Sequence, residues 1–488
     1  MSLIRFAIRV LAAALCVALA APGMAFAQSS LPDLGSAGDA VLSPQLERRI
    51  GENIVREIRF REPGYMDDPE ISEYLAQLGA RLAQAMPGAR HRYEFFVLRD
   101  PTLNAFALPG GFVGVHTGLI TAAQTESELA SVLAHEIAHV SQRHIARMLG
   151  QQQQMQVPMM VALAAALLLG QSRPDLAAGA AAAVQAGAVS AQLAYSRDFE
   201  READRIGLQA LREAGLDVNA MASFFEKLQR STRLSDDGTV PGYLRSHPIT
   251  TERIAEAQNR AANLPYRQYV DSLEFHLVRA RLRAQAGDAG DAVAHFERAV
   301  KEKRYAREAA ARYGLVSALL RANRAPQAAR ELERLRATGA GGPMIEALAA
   351  RVKVAQGARE EAAALLAEAR KRHPHAVSLL YAHAEALQSL GRHQAALEAV
   401  EGGLRANAED ARLYRLRAKS YAALGKRLLQ HQSQAEYYAL QGSLPAAIEQ
   451  LQIARAAGDG DFYQLSVVEA RLRELRAEHA AQAEGGSK

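Results

Sequence analysis

The residues with the plainest chemical capacity are His135-Glu136-Ile137-Ala138-His139, an H-E-x-x-H pentad. On a helix, residues four apart lie one turn apart on the same face, so His135 and His139 can hold one metal ion between them. Glu136, beside the first histidine, points close to that ion and can take a proton from water. Zinc suits this work because it lowers the pKa of bound water to about 7. Two histidines on a polar helix face are the bland alternative, but the pentad is rare enough by chance that the metal reading is preferred. A catalytic zinc usually takes three protein ligands and leaves one position for water. In Arg197-Asp198-Phe199-Glu200-Arg201-Glu202-Ala203-Asp204, Glu200 and Asp204 are four apart and share a face. Glu200 is the natural third ligand. Asp204, one turn on, can accept a hydrogen bond from the far nitrogen of a ligating histidine and fix its orientation. His247 precedes Pro248, which restricts it to an extended conformation. A loop histidine so held can reach a metal or a reaction intermediate; a surface histidine is the plain alternative.

These residues need elements to position them. Thr125, with Glu128 three residues on, forms a capping box that starts the H-E-x-x-H helix. Leu129, Val132, Leu133, Ile137 and Val140 recur at helical spacing and supply its apolar face. A second helix over 195–215 carries Glu200 and stops at Gly215. Upstream, 44–61 and 69–86 read as helices. Residues 93–98, 104–108 and 112–117 read as strands, with Pro109-Gly110-Gly111 as a turn. An edge strand made of Asn104, Ala105, Phe106 and Ala107 can pair with an extended peptide through main-chain hydrogen bonds; a simple structural hairpin is the other reading. Residues 157–169 are nearly all apolar but too few to cross a bilayer. With the small-residue stretch 176–194 they read as buried or cleft-covering helices, a membrane-touching flap being the lesser reading. A Ser/Asp/Gly-rich linker precedes His247.

The length of 488 residues accommodates two or three domains. Residues 1–27 read as a secretory signal: Arg5 and Arg9 open it, an Ala/Leu-rich core follows, and Ala25-Phe26-Ala27 is an A-x-A cleavage site. The single cysteine, Cys16, lies inside it. Leu15 precedes it where a lipoprotein signal wants a small residue. Processing leaves no cysteine, so the mature protein can sit in an oxidising compartment with no disulfide to form. From Gln268 onward there are 33 basic and 26 acidic residues, an excess of +7 against +5 for the whole chain. That suggests acidic partners or a membrane surface; a solvated Arg-rich helical surface explains it equally. No basic run with interleaved aromatics points to nucleic acid.

The same C-terminal stretch is helix after helix. Asn323, Gly357, Gly391 and Gly425 fall at a period of about 34 residues, that of the tetratricopeptide repeat. Gly287 precedes the series, and Gly442 breaks it. Repeat units contact only their neighbours, so removal of everything from 268 onward is expected to leave a metal-binding core.

Together, these pieces resemble the zinc-peptidase family that includes the membrane-bound prenyl-protein (CaaX) endopeptidases. These are gluzincins, with H-E-x-x-H on one helix and a glutamate on a later one. The match runs through His135 to His139, then Arg197, Glu200, Ala203 and Asp204, then His247-Pro248, and includes Asn104 to Gly111; it covers about residues 44 to 260. The signal and the repeats narrow it to periplasmic members. The resemblance implies an α+β fold, a mainly helical peptidase domain with a small sheet over 28–267, then an all-α repeat solenoid over 268–488. It implies one Zn2+ per chain on His135, His139 and Glu200, with Glu136 as general base. His247 is then a fourth ligand that keeps the resting site latent, or an oxyanion stabiliser once displaced. Asn104, Ala105, Phe106 and Ala107 are the substrate-binding strand. The implied role is periplasmic endopeptidase and chaperone-like factor in outer-membrane protein assembly. Its partners are the barrel-assembly machinery, outer-membrane β-barrel proteins and unfolded or misassembled substrates, with peripheral membrane contact as a possibility and no nucleic acid. A scaffold or holdase acting through the repeats, its metal site shut, is the rival from another class. A membrane-embedded prenyl-protein endopeptidase is disfavoured because no internal apolar stretch is long enough to span.

Overall fold

The computed structural model describes residues 42–86, 92–150, 196–233, 242–264 and 267–485. The signal at 1–27, the apolar stretches 157–169 and 176–194, and the linker before Gly242 lie outside them. Helix α1 (Pro44–Arg61) opens at Ser43 and α2 (Pro69–Gln84) at Asp68. Both caps accept hydrogen bonds from first-turn N–H groups, and both helices carry proline in that turn. Between them lies β1 (Tyr65–Met66), too short to leave a sequence signal. Then come β2 (Glu94–Leu98), β3 (Ala105–Leu108), β4 (Phe112–His116), α3 (Thr117–Ala122) and α4 (Glu126–Ser141). Helix α5 covers 144–150 and α6 covers 196–213, followed by α7 (Asn219–Arg233), α8 (Gly242–Ser246) and α9 (Thr251–Ala262).

The sheet order is β1-β2-β4-β3, with β2 and β4 parallel and the other pairs antiparallel. Lying between two strands, β4 is buried at all five positions. β3 therefore forms one edge. Successive side chains alternate between faces. Phe96 and Phe112 pack on Val55 of α1. Phe95, Val97, Val113 and Val115 join the main core on the other face, where α2 and α4 lie.

From Leu273 to Gly485 twelve helices follow, each packed on its neighbours. The periodic turn residues Gly287, Asn323, Gly357, Gly391 and Gly425 all have φ between 57° and 83°. They are the left-handed residues that let one helix stop and the next turn back. Gly442, φ 80°, is the same device half a repeat later. It joins helices Arg427–Leu440 and Leu444–Ala456 by a tight turn where earlier units have longer links. Thus the period breaks without any loss of the helical stack. No helix among the described residues is long and apolar enough to cross a membrane.

The repeats grip the first half of the chain through the acidic start of α2. Asp68 caps α2 with Oδ1 and accepts from Arg281 Nε with Oδ2 at 2.7 Å. Glu70 lies between Arg281 at 2.9 Å and Arg351 at 2.7 Å. Glu73 accepts the N–H groups of Val377 and Ser378, each at 3.1 Å. It thereby caps a repeat helix whose own N-cap, Ala376, has no side chain able to do so. Arg412 pairs with Asp67. Part of the C-terminal basic excess is therefore answered within the chain. One apolar cluster runs from Met66 through Phe275 and Tyr313 to Val352. Cutting at 268 would divide this cluster, so the expectation that the repeats can be removed cleanly is revised.

Candidate metal centre

Helix α4 starts where Thr125 Oγ1 accepts the Glu128 N–H at 3.2 Å. The reciprocal half of the capping box is shifted. The Glu128 carboxylate accepts instead from the Gln124 N–H and from Lys227, both at 2.6 Å. Asp271, at the head of the repeats, accepts the Glu126 N–H at 2.8 Å. The predicted apolar stripe is buried, and so is nearly every other residue of α4. Ala130, Ala134 and Ala138 line its remaining sides, which lets neighbouring helices close in. Gly207 of α6 is one such approach. A Cβ there would stand 3.4 Å from the backbone of Ala134 and His135 and 3.1 Å from Met221.

That packing carries Glu200 to the pentad. Donor atoms of His135, His139, Glu200 and His247 all lie within 4.8 Å of one another, an arrangement that could hold a metal ion. His135 Nε2 is 3.0 Å from His139 Nε2, 3.3 Å from His247 Nδ1 and 3.3 Å from Glu200 Oε2. Glu200 Oε1 is 3.4 Å from His139 Nε2 and 3.0 Å from His247 Nδ1. His247 lies just past the short α8, as the expected loop histidine, and its N–H donates to Tyr243 O at 2.8 Å. Asp204 Oδ1 stands 2.9 Å from His135 Nδ1, the nitrogen turned away from the cluster. Glu136 is 1 % exposed, and neither carboxylate oxygen has a hydrogen-bond partner among the described residues. His247 Nε2 stands 3.5 Å from its Oε1. A buried carboxylate so placed is costly unless something polar completes the site.

Burial and charge work against each other here. Burial would raise the Glu200 carboxyl, but hydrogen bonds from His135, His139 and His247 outweigh it and hold it well below the usual carboxylate range. Burial would lower His135, yet Asp204 and Glu200 push it up to about 9. For His139 burial prevails and the shift is downward.

The sequence reading missed four residues. Arg253 is buried and donates to both oxygens of Asp204, Nε to Oδ2 at 2.7 Å and Nη2 to Oδ1 at 2.8 Å. Its Nη1 donates to Pro248 O at 2.9 Å and lies 2.9 Å from Glu200 Oε2. It thus ties α6 to the His247 segment. His144 Nδ1 is 2.8 Å from His139 Nδ1, and Glu202 receives His144 Nε2 at 3.2 Å. Tyr243 is fully buried, with its ring 4.8 Å from that of His247 and its hydroxyl unpartnered among the described residues. Only His144 had a usable signal, a third histidine five residues past the pentad.

The proposed substrate strand lies at one edge of the sheet and packs on α4. Ala105 faces the main core. Phe106 turns the other way, onto Phe96 and His116. The Asn104 side-chain oxygen is buried without a partner among the described residues.

Comparisons with known proteins agree with this architecture. The profile of peptidase family M48 matches residues 69–261, and a tetratricopeptide-repeat profile matches 283–352 and 353–420. The β-barrel assembly-enhancing protease of Escherichia coli K12 is 32% identical over 472 residues, 96% of this chain and 95% of that protein. A putative β-barrel assembly-enhancing protease of Vibrio cholerae is 35% identical over 294 residues, 59% of this chain; the alignment spans 60% of that relative, less than two thirds of its length. The mitochondrial metalloendopeptidase OMA1 of Schizosaccharomyces pombe is 31% identical over 220 residues, 44% of this chain and 61% of that protein.

Proposed function

The chain belongs to the family of β-barrel assembly-enhancing proteases, M48 metalloendopeptidases with tetratricopeptide repeats, and from that premise we propose that it is a periplasmic zinc endopeptidase acting in outer-membrane β-barrel protein assembly. Residues 1–27 are removed on export, 28–267 carry the peptidase and 268–488 the repeats. Unfolded or misassembled β-barrel proteins are its substrates, and the repeats engage the barrel-assembly machinery. One Zn2+ is held by His135, His139 and Glu200, with His247 as a fourth ligand in the resting state.

One observation carries this reading. Five contacts between donor atoms of the cluster measure 3.0–3.4 Å, and one donor atom from each of the four residues lies within 4.8 Å of the others. Metal–ligand bonds of about 2.0–2.1 Å arranged tetrahedrally require edges of about 3.3–3.4 Å, and three nitrogens with one carboxylate are a zinc donor set. Bound zinc supplies Lewis acidity, polarising the scissile carbonyl and making water acidic at neutral pH. The protein does the rest. Glu136, with no hydrogen-bond partner among the described residues, takes the proton from the attacking water and returns it to the leaving amine. Asp204 orients His135 and Arg253 orients Asp204. Main-chain groups of 104–107 hold the substrate extended. Substituting Glu136→Gln removes the proton acceptor and no ligand, so zinc content should stay at one per chain while cleavage of an unfolded substrate such as casein is lost. Wild-type cleavage by this variant would refute the assignment.

A second reading, a scaffold or holdase with a shut site, is favoured by burial. His135 is 0 % exposed and His247 8 %, with His139 partly buried, so the donors offer little surface to a substrate as they stand. The two readings are compatible if the site opens only on demand.

A further inference from the structure

The pentad's second histidine has its own support, and the support has a direction. His139 Nε2 faces His135 and Glu200, at 3.0 and 3.4 Å. A ligating nitrogen needs a bare lone pair, so the proton of neutral His139 must sit on Nδ1. That nitrogen is 2.8 Å from His144 Nδ1. For a hydrogen bond to form there, His144 Nδ1 must be bare and its proton must be on Nε2. His144 Nε2 is 3.2 Å from Glu202 Oε2, which also accepts from Arg147 Nη1 at 2.8 Å. Arg147 donates only, so the chain of donors and acceptors closes in one sense alone. Packing locks it. The His144 ring is 3 % exposed and stacks on Phe199 with centroids 4.4 Å apart and planes 19° apart. Arg147 lies over the other partner of that stack, 4.7 Å from the Phe199 centroid. Glu202 and Phe199 flank Glu200 on α6, so the same helix that brings the third ligand also fixes the second.

The geometry points to His144 as a positioning residue for the metal centre: through Nδ1 it holds His139 in the tautomer and orientation that ligation requires, backed by Glu202 and Arg147. The two histidines of the pentad are thereby anchored by different chemistry, His135 by a carboxylate and His139 by a neutral imidazole. This inference rests on the zinc reading above.

Three variants separate hydrogen bonding from packing, each measured for zinc affinity by chelator competition and for melting temperature without metal. In His144→Asn the Oδ1 atom takes the place of Nδ1 as acceptor, so zinc affinity should stay near wild type. His144→Gln places its polar end at the Nε2 side, and His144→Leu has none; both should bind zinc about 10- to 100-fold more weakly. The visible spectrum of the cobalt-substituted protein should follow the same split, with His144→Asn resembling wild type. Wild-type affinity in His144→Leu, or equal weakening in all three variants, would overturn the inference. A wild-type protein that takes up no zinc would overturn the metal reading instead.

Discussion

Arg351, from the repeats, donates through Nη1 to Oε1 of Glu70 in the first turn of α2, at 2.7 Å and 281 residues along the chain. Glu70 is 4 % exposed and is shared with Arg281 and the Tyr313 hydroxyl. Removing one member of a buried ion network strands the others without their counter-charge. Glu70→Ala is expected to cost stability at the lower end of the ~3–5 kcal/mol range for such losses, because Arg281 keeps Asp68 and the Arg351 side chain is 37 % exposed. Urea unfolding measures it, and a loss under 1 kcal/mol would make the clamp incidental. For the same reason, a chain ending at 267 should be poorly soluble, since it exposes the faces that pack on Phe275 and Tyr313.

Acid should loosen this clamp. Burial opposes ionisation of Asp68, but Arg281 and hydrogen bonds from Gln285 and the Ile71 N–H prevail, and its pKa falls below the ordinary 3.8. A carboxyl with a lower pKa in the folded state binds fewer protons there than when unfolded. Its stabilisation is complete above the unfolded value and disappears as pH falls through the folded one. Asp68→Asn keeps the helix cap, since Asn caps about as well, but removes the charge. The variant should be less stable at pH 7 and lose less between pH 5 and 2 than wild type. Parallel stability–pH curves for the two proteins would exclude Asp68 from the acid response.

Arg253 makes fork-like contacts that a lysine cannot copy. It holds both oxygens of Asp204 and lies beside Glu200. Arg253→Lys is therefore expected to bind zinc about 10- to 100-fold more weakly, the usual scale for a residue that orients a ligand, and Asp204→Ala to fall in the same range. Chelator competition decides. Full affinity in the lysine variant would reduce the role of Arg253 to charge balance.

His247 allows a test of latency. If its imidazole occupies a zinc position at rest, His247→Ala opens that position and proteolysis should rise, with zinc retained on the other three ligands. If it stabilises the oxyanion, the same change should lower the rate by roughly 10²–10³. The observed placement, with Nδ1 3.0 Å from Glu200 Oε1 inside the donor cluster, favours the rise. A slower enzyme with full zinc content would exclude latency.

Much of the chemistry was legible in the chain because its signals are local. Helical spacing of four puts His135 and His139 on one face, and Glu200 and Asp204 on another. The left-handed turns at Asn323, Gly357, Gly391 and Gly425 announce the repeats because few residues adopt that backbone. What the tertiary structure decided was every relationship without a local rule. Arg253 reaches Asp204 across 49 residues, and Arg351 reaches Glu70 across 281; a buried arginine looks in sequence like any surface arginine. Strand order was equally hidden, since β4 lies between β2 and β3 only because the chain crosses over. The division between peptidase and repeats, sharp in composition, is bridged in space by one continuous core, because apolar faces on both sides of residue 268 bury against one another.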